Sequence, residues 1–149
     1  MTGARLVKAS LAGTGAFTLT AVAAAATAGA RPVATAVALV LFATGTVLFL
    51  VAYAIAVGRS RTDAIGIGGL FFLAGPVAPR REKALLLGAL AAQVVVAAVS
   101  AAIRPFTSLA FGTLVPTYGL ALVGLWAARH GRFPARGRPG PGGPGRRAE

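Results

Sequence analysis

The sequence predicts an all-α membrane protein with four transmembrane helices arranged as two hairpins. Three observations carry that expectation. Of the 149 residues, 56% are hydrophobic and only 12% are charged, with a mean hydropathy of +0.78. Apolar runs without a charged residue, each about 20 residues long and so matched to a hydrocarbon core of roughly 30 Å, recur four times. The basic residues fall between those runs. A soluble domain carries about 25% charged residues, and this composition does not supply a water-facing surface.

Residues 1–8 form a short N-terminal stretch with Arg5 and Lys8, and residues 9–58 the first hairpin. Its helices cover Ala9 to Ala30, built from Ala, Gly and Thr, and Pro32 to Gly58, richer in Val, Leu and Phe. The second hairpin, residues 84–128, has helices over Ala84 to Ile103 and Pro105 to Ala128. Each hairpin turns at an Arg-Pro pair, Arg31-Pro32 and Arg104-Pro105, with proline opening the returning helix. Arg5, Lys8, the apolar run and Ala28-Gly29-Ala30 also outline a signal peptide. The run exceeds the usual h-region of roughly 7–15 residues, which favours an uncleaved helix; cleavage would leave three spans with the same orientation.

Orientation follows from the basic residues. Arg5, Lys8, Arg59, Arg61, Arg80, Arg81, Lys83, Arg129, Arg132 and the arginines at 136, 138, 146 and 147 share one side, and only Arg31 and Arg104 lie on the other. The positive-inside rule then places both termini in the cytoplasm. The formal net charge of +12 serves topology on this reading, and nucleic acid is not an expected partner. Tyr53 and Trp126 are expected as interfacial anchors.

The connection, residues 59–83, contains an apolar Gly-rich segment, residues 64–79, AIGIGGLFFLAGPVAP. Glycines and Pro76 interrupt it, and a fifth crossing would send one basic cluster to the wrong side. It is expected either to lie at the interface with Phe71 and Phe72 buried, or to re-enter the bundle, where its non-helical backbone needs protein around it. The tail, residues 129–149, holds six Arg, six Gly and four Pro and is expected to be a disordered cytoplasmic segment drawn to anionic lipid headgroups.

The chemistry available is narrow. With no cysteine, one histidine (His130) and only Asp63, Glu82 and Glu149 as acids, no nucleophilic, metal or paired-carboxylate constellation can be assembled within the spans, and neither enzyme activity nor a cofactor is expected. Gln93 stands near the middle of the third span and an amide in hydrocarbon must find a partner. Ala89, Ala97 and Ala101 make its ridge, and Gly88, Ala92 and Ser100 form a second small-residue row. Pro116 is expected to kink the fourth helix and free the Gly112 carbonyl. Gly88, Ala89, Gln93, Ala97, Gly112 and Pro116 are thus the candidate packing or pore-lining residues.

Gly69-Leu-Phe-Phe-Leu-Ala-Gly75 with Ala78-Pro79-Arg80, then Ala92-Gln93, Arg104-Pro105-Phe106, Leu109-Ala110-Phe111-Gly112, Pro116, Leu125-Trp126, Arg129-His130-Gly131 and Phe133-Pro134 carry a resemblance. Over about Gly69 to Pro134 the chain resembles uncharacterised small integral membrane proteins of actinobacteria. The resemblance implies a bacterial plasma membrane protein and lends no activity, cofactor or site. Two function classes follow: a non-enzymatic accessory or assembly subunit, or homo-oligomer, acting through helix packing with a membrane partner, and a small uncoupled transporter or channel using Gln93 and Pro116.

Overall fold

The computed structural model describes residues 2–103 and 108–135. Five α-helices follow one another: α1 (Gly3–Ala26), α2 (Arg31–Arg59), the short α3 (Ile67–Phe72), α4 (Arg80–Ile103) and α5 (Pro116–His130). A 3₁₀ turn, Ala28–Ala30, links α1 to α2, and a 3₁₀ segment, Ser108–Leu114, leads into α5. No strand forms among the described residues; Asp63 and Ala135 make one isolated antiparallel bridge. Four segments are long and apolar enough to cross a membrane: α1, 28–59, α4 and 110–130. The Arg104-Pro105 turn and the chain from Arg136 onward lie outside the described residues.

The first span starts earlier than the apolar run suggests. Nothing between Gly3 and Lys8 breaks a helix, and Arg5 and Lys8 are exposed, so α1 takes in residues expected to precede it. The helix ends at Thr27, which adopts extended angles. Along α1 and α2, threonine hydroxyls donate to carbonyls four residues back, as Thr14 to Ser10, Thr18 to Thr14 and Thr46 to Phe42 at 2.8 to 3.0 Å, which satisfies them without water. Helix α4 begins at Arg80, one turn before Ala84, so Arg80, Arg81 and Lys83 occupy its first turn.

The fourth span corrects the expected kinked helix. Pro116 opens α5 at its first turn, where a missing N–H costs nothing. The Gly112 carbonyl is not freed, because it accepts the Val115 N–H at 3.1 Å in the tighter 3₁₀ pattern. What remains is a helix of 15 residues, about 22 Å long and shorter than a hydrocarbon core.

Helix α5 forms the axis of the molecule. From Tyr118 to Ala128 all but Leu120 are buried, the pattern of a helix that is apolar on every face. Helices α1, α2 and α4 surround it, with α3 against its second half. Gly45 of α2 lets the two backbones meet: a Cβ there would stand 2.6 Å from Tyr118 Cα and 2.7 Å from its N. The main core, including Leu6, Leu70, Leu73, Leu86, Leu122, Leu125 and Trp126, gathers around the second half of α5. Towards the other end the packing thins to Phe17, Ala21, Ala38, Ala97 and Val115, and then to Ala24 and Ala34.

In the segment 64–79 only Ile67–Phe72 is helical, and the expectation that Phe71 and Phe72 are both buried is corrected. Phe71 reaches between α2 and α5, stacking on Phe49 with centroids 5.1 Å apart and lying against Gly124, where a Cβ would meet its ring at 2.7 Å. Phe72, one residue on, points outward and is 57% exposed. The chain reverses at Leu73, a buried residue held at a φ of 50°, and at Gly75, at 75°. Phe49 lies ten residues before Arg59, so Phe71 is inserted roughly 15 Å from the basic end of α2.

The Gly45 contact is with backbone, which has little room to yield. Gly45→Leu is expected to lower the unfolding free energy in detergent by more than the roughly 1–3 kcal/mol of ordinary overpacking. Gly58→Leu, at an exposed site with open space around it, is the comparison expected to leave the melting temperature unchanged.

Candidate functional site

Polar side chains join neighbouring elements near each end of α5. At the N-terminal end, the Gly119 N–H donates to Gln93 Oε1 at 3.1 Å. The amide's other atom, Nε2, donates to Thr14 Oγ1 at 2.7 Å, and the Thr14 hydroxyl passes its proton to the Ser10 carbonyl at 2.8 Å. Because the Gly119 group can only donate and the Thr14 hydroxyl already donates elsewhere, the orientation of the amide is fixed by its partners. The chain of bonds joins α5, α4 and α1. Gln93 is fully buried, and Gly119 leaves it room, since a Cβ there would stand 2.5 Å from Oε1. Tyr118 adds a second link by donating its hydroxyl to the Ala9 carbonyl at 2.9 Å.

The ridge around Gln93 splits into two faces. Leu86, Ala89, Gln93 and Ala97 turn inward, at the three- and four-residue spacings that keep side chains on one side of a helix. The second row does not pack inside the chain: Gly88 and Ala92 are exposed, and a Cβ on Gly88 would meet nothing within 4 Å. Gly112 is buried against the Phe17 ring and Pro116 is half-buried at the start of α5.

At the C-terminal end of α5, Arg59 does more than mark topology. Its Nη1 donates to the Ala128 carbonyl at 2.8 Å and its Nη2 to the Gly131 carbonyl at 3.3 Å, while Nε and Nη2 grip Asp63 Oδ2 at 3.1 and 2.7 Å. The guanidinium also lies 5.6 Å from the centre of the Phe133 ring. A cation at the end of a helix offsets the partial negative charge of its last carbonyls.

The residues after α5 are a correction to the expected disordered tail. Arg129 and His130 belong to α5, and residues 131–135 form an ordered strap. The Arg132 N–H donates to the Val77 carbonyl at 3.1 Å, and the Ala64 N–H to the Pro134 carbonyl at 2.8 Å. Phe133 packs on Gly69. The strap thereby ties α5 to both sides of the connection between α2 and α4. Trp126 is a further correction: it is 5% exposed inside the core, beside Gly3 and His130, whereas Tyr53 is 57% exposed. Arg61, Arg80, Arg81, Arg129 and Arg132 are exposed and Lys83 is partly so, all at the end of the bundle where Arg59 sits.

Comparison of the chain with protein-family models, with curated proteins and with solved structures finds no match in any of the three. The chemistry of the site rests on its geometry. Both polar atoms of Gln93 are committed to protein partners, and the one ion pair among the described residues, Arg59–Asp63, is local to the end of α2.

Replacing Gln93 by Leu leaves the Gly119 N–H buried without an acceptor, and is expected to cost about 1–3 kcal/mol in a detergent unfolding titration. Ser10→Ala is the contrast, because the Ser10 hydroxyl is buried with no partner; its removal is expected to be neutral or stabilising. Arg59→Ala is expected to release the strap and raise the rate of tryptic cleavage after Arg132 several-fold, read by intact mass.

Proposed function

We propose that the chain is a multi-pass protein of a bacterial plasma membrane, a non-enzymatic accessory or assembly subunit, or homo-oligomer, that acts through helix packing. The observation that carries this reading is the commitment of Gln93, the central polar side chain of the bundle, to Thr14 and Gly119. An amide bonded at both ends and fully buried holds helices together and is not open to a passing solute, so the same bonds count against a transporter or channel built on it. The outward row of Gly88 and Ala92 suits the close approach of a neighbouring helix.

In this proposal the spans run as two hairpins with both termini cytoplasmic. Arg5, Lys8, Arg59, Arg61, Arg80, Arg81, Lys83, Arg129 and Arg132 gather at one end of the bundle and Arg31 stands at the other, which supports that orientation. The first helix is retained rather than cleaved, because it supplies Thr14 to Gln93 and the Ala9 carbonyl to Tyr118.

Since the chain has no cysteine, single-cysteine variants report topology cleanly. Arg31→Cys is expected to react with an impermeant maleimide added outside intact cells, and Arg61→Cys only after permeabilisation; the reverse pattern would invert the orientation. The packing role is tested by the mass of the complex purified in mild detergent. Gly88→Ile is expected to reduce that mass to the single chain while leaving its melting temperature unchanged, and an unchanged mass would remove the outward row from the interface.

A further inference from the structure

A cleft of about 450 Å³ opens at the basic end of the bundle. Arg80, at the start of α4, forms one wall and Arg132, on the strap, another; His130 and Trp126 of α5 line it with Val77 and Pro79. Four features distinguish it from an ordinary solvated basic surface. The backbone of Arg132 is fixed by its bond to the Val77 carbonyl, with the buried Gly131 wedged against Val77 and Phe133, so the walls are set before anything binds. His130 rests on the Trp126 ring at a centroid distance of 5.8 Å. The first N–H groups of α4 have no carbonyl four residues back within the helix, which begins beside Pro79, and that end of a helix attracts an anion. Finally, of the two acids at this end among the described residues, Asp63 is taken by Arg59 and Glu82, in the first turn of α4, does not line the cleft, and neither the Arg80 nor the Arg132 guanidinium has a hydrogen-bond or ion-pair partner among the described residues.

We propose that this cleft binds a phosphate group, held between the Arg80 and Arg132 guanidiniums at the start of α4, with Trp126 and Pro79 against the part of the ligand that carries it. Arginine presents paired donors to phosphate oxygens. The volume falls within the range of small-ligand sites, roughly 300–1,000 Å³, and accommodates a glycerophosphate headgroup as well as a free phosphate. The headgroup source rests on the membrane reading above and the free source does not.

Trp126 is the chain's one tryptophan and it lines the cleft, so its fluorescence is the probe of this site. The full chain is purified in a maltoside detergent, which carries no phosphate, and titrated with short-chain phosphatidylglycerol or with inorganic phosphate. A saturable change with phosphatidylglycerol is expected, weakened roughly tenfold for each arginine removed in Arg80→Ala and Arg132→Ala. The Arg61→Ala, Arg129→Ala double variant, which removes two exposed charges outside the cleft, is expected to bind as the parent does. A response to phosphatidylglycerol but not to inorganic phosphate assigns a lipid headgroup; a response to both assigns a soluble phosphate compound as well. No response to either, or equal weakening by the two pairs of substitutions, overturns the proposal, the latter because it indicates diffuse attraction. A melting temperature shared by all variants keeps loss of binding separate from loss of fold.

Discussion

Everything in this fold depends on satisfying the two ends of α5. A helix leaves its first N–H and last C=O groups without partners inside itself, and in apolar surroundings water does not supply them. Helix α5 is about 22 Å long and buried from Tyr118 to Ala128 apart from Leu120, so most of its length is sheathed by other helices. Each end is finished by a side chain from a different element. Gln93 of α4 accepts the Gly119 N–H at one end, and Arg59 of α2 donates to the Ala128 and Gly131 carbonyls at the other. The long helices are therefore tied to the axis by polar contacts as well as by apolar packing, which matters where the hydrophobic effect no longer drives helices together.

That requirement explains which parts of the fold are legible in the sequence. Span number and approximate position follow from apolar length, a property of each segment alone, and so does the gathering of basic residues at one end. Gln93 stands out because an amide inside an apolar run has few structural uses. Its partners do not, since Thr14 and Gly119 are 79 and 26 residues away and neither residue type is unusual for its helix. Arg59 is read from sequence as one of a cluster of cytoplasmic charges; only the position of the α5 terminus distinguishes it from Arg61, two residues on. Trp126 fits the pattern of an interfacial anchor by its distance from Arg129, yet it is almost fully buried, with Gly3 and His130 against it. Pro116 looks central because the 3₁₀ segment before it is as apolar as a helix, and composition does not separate the two.

The bundle is unequal along its length. Leucines, Trp126 and the inserted Phe71 fill the half near Arg59, where the strap and the connection close over them. The other half relies on alanines, with one shallow apolar groove between α1 and α4, about 240 Å³, lined by Val22, Val95, Val99 and Ile103 among others. Small residues allow close backbones but each contributes few dispersion contacts. Local stability must therefore fall away from the basic end, as it does wherever buried contacts thin out.

This asymmetry bears on how a packing protein would work. The half near Arg59 is locked by hydrogen bonds that run through α2, α5, the connection and the strap, so it presents a fixed arrangement of charges and walls. The alanine-rich half has apolar helix faces on α1, α2 and α4, and in lipid such faces gain little from burial as such; what they gain from a neighbouring helix is contact at short range. Gly88 and Ala92 lie on the outward side of α4 within reach of such contact. A neighbour seated there would lie beside the main core, in the half of α4 nearer Arg80, and leave the polar caps of α5 untouched, because Gln93 and Arg59 both face inward. If the chain assembles as proposed, assembly and internal folding would be served by different faces of the same helix α4, one carrying the exposed Gly88 and the other the buried Gln93.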